Sequence, residues 1–161
     1  MFTENQNKAK ALRVAVAQAN MSQVIQILTS VNKEQAKALI DTAGPDSGKT
    51  TVHRALEGLL EYGHGVTDIF ELINNFTREL SQRETFLVNL YMVTTVLLRF
   101  GPNMNLRDRD RKTGNDLLAA LPAATQATLA NEPAPIKEGI DMLMLAETGK
   151  FSELIEKTFA R

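Results

Sequence analysis

The chain has 161 residues, 43% hydrophobic and 23% charged, with a net charge of −1 and no cysteine. That length suffices for one domain with a real core or for a short repeat array, and the charge balance excludes a global pull towards nucleic acid or an anionic membrane. Without cysteine, disulfides and thiolate chemistry are excluded as well, so stability has to come from packing.

In chain order the apolar residues recur at helical spacing almost throughout. Residues 7–30 place Leu12, Val16, Ala19, Val24, Ile27 and Leu28 on one face, with a break at Asn20. A second helix is predicted from Lys33 to Asp41, stopped by the GPDSG cluster, and Thr50 is placed to cap a third that reaches Tyr62. Gly63-His64-Gly65 reads as a turn before a helix from Asp68 to Phe76. ETFLVNLYMVTTVLLRF is apolar nearly all round. Its length without a turn signal points to a buried helix, ended by Gly101-Pro102-Asn103. Leu106 to Lys112 reads as charged and extended, with a helix following to Leu121. PAATQATLANEPAP reads as a loop with one helical turn between Ala123 and Leu129, and two amphipathic helices are expected over Ile136–Thr148 and Phe151–Phe159. No segment alternates with period two over strand length, so the predicted class is all-α. No apolar run approaches the ~18 residues of a membrane span. The opening MFTENQNKAKALRVAV lacks a signal-peptide layout. The expectation is a soluble protein, cytoplasmic or delivered to a cytosol.

The stretch DTAGPDSGKTTVHRAL, Asp41 to Leu56, fits two patterns. From Ala43 it reads A-x-x-x-x-G-K-T, a relaxed phosphate-binding loop with Lys49 and Thr50 in the chemical positions. Such a loop needs a buried strand before it and free backbone N–H groups to cradle phosphates. KEQAKALIDTA ahead of it looks helical, and Pro45 removes one N–H. A small nucleotide hydrolase is therefore the alternative reading rather than the leading one.

The second pattern starts at Gly48. GKTTVHRA is one substitution from G-x-T-P-L-H-x-A, and LLRFGPNMNLRDRDRKT matches L-L-x-x-G-A-D-x-N-x-x-D-x-D-G-x-T at Leu97, Leu98, Gly101, Asn105, Asp108, Asp110 and Thr113. ALEGLLEYGHGVTDIFELI and AVAQANMSQVIQIL are similar to the paired helices of the same unit, the latter with Asn20 where Gly is usual. MLAETGKFSELIEK matches at Ala146, Gly149 and Ile155. SQRETFLVNL supplies a weaker copy with Thr85 aligned to Thr50 and Thr113. In these stretches the chain resembles ankyrin-repeat proteins, over about four irregular repeats and most of its length. It departs at Thr51, Phe86 and Gly114, where Pro is usual, at Val88 and Asp116 for the motif His, and at Arg111 for the turn Gly.

The resemblance implies a single ankyrin-like domain over 1–161, a short solenoid of stacked helix-turn-helix pairs joined by hairpin-type loops. Its approximate repeats are 8–44, 45–78, 79–106 and 107–161, with a Pro-rich insertion at 122–135. Gly48, Thr50, His53, Thr85, Gly101, Asn105, Asp108 and Thr113 are then structural motif positions. The implied function is a non-enzymatic protein-interaction module of the adaptor or bacterial-effector kind, binding through its hairpin tips and concave helix face. The tips are Asp46, Ser47 and Lys49; Gln82, Arg83 and Glu84; and Arg107, Arg109, Asp110, Arg111 and Lys112. The basic excess of the third tip favours an acidic partner surface, with binding that weakens as salt rises. A self-associating structural subunit is a further alternative.

Other chemistry is thin. His53 and His64 form no H-x-x-x-H or H-E-x-x-H spacing, so neither metal nor cofactor is expected. No G-x-S-x-G nucleophile setting occurs. The basic residues of RDRDRK have no interleaved aromatics, which disfavours nucleic acid.

Overall fold

The computed structural model describes residues 4–66, 69–74 and 79–147, and among them the chain is all-helical, with nine helices and no strand. Helix α1 (Glu4–Ala17) and α2 (Met21–Thr29) divide the predicted first helix at Asn20, whose side chain caps α2 by accepting from Gln23 N–H. Ala19 takes a positive φ of 51° in the turn. Helix α3 (Lys33–Asp41) starts on a reciprocal Asn32–Gln35 capping box. Helices α4 (Thr51–Tyr62), α5 (Ile69–Asn74) and α6 (Gln82–Arg99) follow at the expected places. They are succeeded by α7 (Gly114–Ala119), α8 (Ala123–Ala130) and α9 (Ala134–Glu147). The expected helix at Phe151–Phe159 lies outside the described residues, as do Gly149 and Ile155.

Two sequence expectations change. The segment 122–135 is not a loop with a single turn: it carries α8 and opens α9. Its prolines sit at helix starts, where a missing N–H costs nothing and a fixed φ is pre-set. Pro122 is the N-cap of α8 at φ −55°, and the Pro133 carbonyl accepts from Lys137 N–H as α9 begins. Secondly, Thr85 does not cap a helix. Ser81 does, with Glu84 returning the bond, so Gln82, Arg83 and Glu84 form the first turn of α6 instead of a hairpin tip. Arg83 donates to the Glu61 and Tyr62 carbonyls and so closes the C-terminus of α4.

The packing forms two rows. Helix α4 lies between α1 and α7 in one; α6 is the hub of the other and packs on α4, α2, α5, α8 and α9. Leu87, Leu90, Tyr91, Val93, Val96 and Leu97 of α6 are buried. Thr94 and Thr95 join them by donating their hydroxyls to the Leu90 and Tyr91 carbonyls, which satisfies polar atoms that burial would otherwise penalise. Helix α9 also packs on α2, so the second row turns back on itself. There Glu147 accepts from Ser22 Oγ at 2.8 Å and Gln26 Nε2 at 3.0 Å. Arg99 anchors α9 to α6: it meets Glu132 and Asp141 at 2.6 Å each. The hydrogen bond to Glu132 raises the Arg99 pKa against the opposing effect of burial, with Asp141 adding to the rise.

Candidate partner-binding face

The loops before α4 and α7 share one construction. Each ends in a lysine followed by a capping threonine. Thr50 accepts from His53 N–H while His53 Nδ1 accepts from Thr50 N–H; Thr113 accepts from Asp116 N–H while Asp116 Oδ2 accepts from Thr113 N–H. Asp116 thus does at α7 what the imidazole does at α4. The bond from the Thr113 backbone holds the Asp116 carboxyl below the usual aspartate range.

Backbone bonds close both loops. Gly44 N–H donates to the Lys49 carbonyl and Asp108 N–H to the Lys112 carbonyl. Asp108 is buried, and its Oδ1 accepts from the Asp110 and Lys112 amides at 2.9 Å each. Gly48 (φ 69°) and Arg111 (φ 65°) occupy left-handed turn positions, and Gly101 (φ 65°) ends α6 in the same conformation. Asn105 accepts from the Asn115 side chain, tying the base of the second loop to α7.

The two loops lie side by side. Arg109 N–H donates to the Ser47 carbonyl at 3.0 Å, and the Arg109 guanidinium reaches the Pro45 carbonyl at 3.2 Å. Beneath them the buried His53 places Nε2 2.8 Å from the Lys112 carbonyl. That acceptor puts the ring proton on Nε2 and leaves Nδ1 free to accept from Thr50 N–H. The geometry therefore makes His53 a tie between loops. Arg107, Arg109, Asp110, Arg111 and Lys112 stay exposed at the second tip, as does Asp46 at the first.

Lys49 does not join them. Its ammonium sits 2.7 Å from Glu57 Oε2, and its side chain is 17% exposed. Gly44, Gly48, Lys49 and Thr50 all spend their N–H groups within the loop and its capping box, and the element ahead is helix α3. That arrangement offers neither the strand nor the open amides of a phosphate cradle.

Sequence reasoning missed a recess of about 650 Å³ beside the first tip, bounded by α1, residues 42–47 and Arg54 of α4. It holds Lys10, Arg13 and Arg54, with the acidic Asp46 at one side. Arg13 donates to the Thr42 carbonyl, fixing the loop to α1. Its pKa is lowered by burial and, secondly, by the Arg54 cation. A helical spacing of basic residues on α1 was visible in the sequence, but its approach to Arg54 depends on the packing of α1 on α4.

No group of three or more His, Asp or Glu side chains among the described residues could hold a metal ion. No helix among them is long and apolar enough to cross a membrane. No protein-family model, curated protein or solved structure matches the chain.

Proposed function

We propose that the protein is a non-enzymatic protein-interaction module, a short and irregular ankyrin-like array that engages a protein partner through its stacked loop tips and the α1–α4–α7 face. The observation that carries this reading is the joined pair of loops, held by Arg109 and Ser47 above and His53 and Lys112 below. Such pre-ordered loops lose little backbone entropy on binding. The basic excess at Arg107 to Lys112 suits an acidic partner surface.

The test uses the full chain as bait. Arg107, Arg111 and Lys112 changed together to Ser should abolish capture of a partner while the melting temperature stays within a few degrees of wild type. Arg109 is left intact because it binds the neighbouring loop. Changing Glu71 and Glu138, exposed on the other row, should leave capture intact. The partner so identified, once purified, should bind wild type and not the tip variant. The reverse pattern, with Glu71 and Glu138 essential and the tips dispensable, places binding on the opposite side and rejects the proposal.

A further inference from the structure

The recess beside α1 brings two guanidiniums together, with the Asp46 carboxylate at one side paired to neither. Arg13 and Arg54 lie close enough to depress the Arg13 pKa, and neither has a carboxylate within ion-pair distance among the described residues. Four other cations are paired: Lys8 with Glu4, Lys37 with Asp41, Lys49 with Glu57, and Arg99 with Glu132 and Asp141. Like charges held side by side repel, and an anion between them converts that repulsion into two charge-assisted hydrogen bonds. The remaining wall is mixed, with Gln6, Asn7, Thr42 and Ser47 polar and one apolar stretch. Val14 is 48% exposed, and Ala17, Ala43 and Pro45 continue its surface.

We propose that this recess receives an extended acidic segment of a partner protein, with a carboxylate seated between Arg13 and Arg54 and a neighbouring aliphatic side chain against Val14. The inference rests on the partner-binding reading above and names the chemistry of its ligand. The volume of about 650 Å³ falls among sites that enclose a small ligand or a few side chains. Nucleic acid fits less well: no aromatic side chain lines the recess to stack a base. A bare inorganic anion would leave the Val14 wall unused.

The probe is a fluorescein-labelled peptide of about ten residues alternating Glu and Leu, which spans roughly 33 Å when extended, followed by fluorescence anisotropy on the full chain. It should bind at low salt, weaken as salt rises, and lose at least about tenfold in affinity in Arg54→Glu. The same peptide with Gln for Glu should bind at least about tenfold more weakly. Arg13→Gln should act likewise, but Arg13 also holds the Thr42 carbonyl. Arg54→Glu is therefore the deciding variant, because the one hydrogen bond the Arg54 side chain makes among the described residues is a long one of 3.4 Å to Ser47 Oγ. In Arg13→Glu/Arg54→Glu, a Lys/Leu peptide should replace the Glu/Leu one. Failure of the Glu/Leu peptide to bind, or binding unchanged by Arg54→Glu, overturns the inference. So does a single-stranded oligonucleotide that binds equally well through Arg54. The peptide reports on the recess and the tip variants report on the loops, so failure here is distinguishable from failure of the partner-binding reading.

Discussion

Arg111 and Gly48 occupy turn positions of the same hand, but only one is glycine. A left-handed conformation costs a residue bearing a Cβ about 1–2 kcal/mol, partly offset for glycine by its greater freedom when unfolded. Arg111→Gly is therefore expected to stabilise the chain by up to about 1 kcal/mol in urea denaturation. Gly48→Ala should do the opposite, because its Cβ would also stand 3.2 Å from Arg109 N and press the loops apart. Asp116 supplies a pH signature. Its folded-state pKa lies below its unfolded value, so the linked stabilisation is present above the unfolded value of about 4 and fades as pH falls through the folded one. Amide shifts of Thr113 should titrate with a midpoint below about 4, and Asp116→Asn should remove that titration. At Lys49 the ion pair with Glu57 sets the expectation: Lys49→Ala should cost about 1 kcal/mol. Calorimetry with ATP or GTP and Mg²⁺ should register no binding to wild type. Micromolar binding that Lys49→Ala abolishes would restore the nucleotide hydrolase.

At the scale of the element, α6 carries the heaviest load, since its buried side chains face five other helices. Leu97→Ala, at a fully buried position, should cost roughly 2–5 kcal/mol by denaturant melting. A change below about 1 kcal/mol would mean that the site collapses around the smaller side chain. This helix was plain in the sequence because a long apolar run without Gly or Pro has few other solutions. Its start was not. Thr85 matched a motif letter, yet Ser81 lies three residues ahead of Glu84, the spacing at which the two side chains satisfy each other's backbone. Local capping chemistry outweighed alignment. Helix α8 was hidden for the opposite reason: three prolines in one short stretch resemble a loop, and their harmless placement at helix starts depends on where the helices begin.

For the molecule as a whole, legibility divides by range. The loops at Asp46–Ser47 and Arg107–Lys112 could be placed because the threonine cap and its partner three residues on are local signals. The recess could not, because Arg13 and Arg54 meet only through helix packing. The Arg99 cluster was likewise invisible, as it joins α6 to two separate points around α9. Arg99→Met should destabilise the chain by about 1–3 kcal/mol, since it strands two carboxylates that are only partly exposed. Hydrogen exchange should then quicken first in α9, while α4 keeps its protection. Uniform loss of protection would show that α9 has no separate opening.

A linear stack of helix pairs can unzip from either end, one pair at a time. The return of α9 onto α2 removes that freedom. Glu147 holds Ser22 and Gln26 of α2, the second helix in the chain. Peeling α9 away strips α2 of a neighbour, and loosening α2 does the same to α9. The outer helices are therefore coupled as a latch, and hydrogen exchange that quickens in α9 is expected to quicken in α2 with it, while α4 keeps its protection.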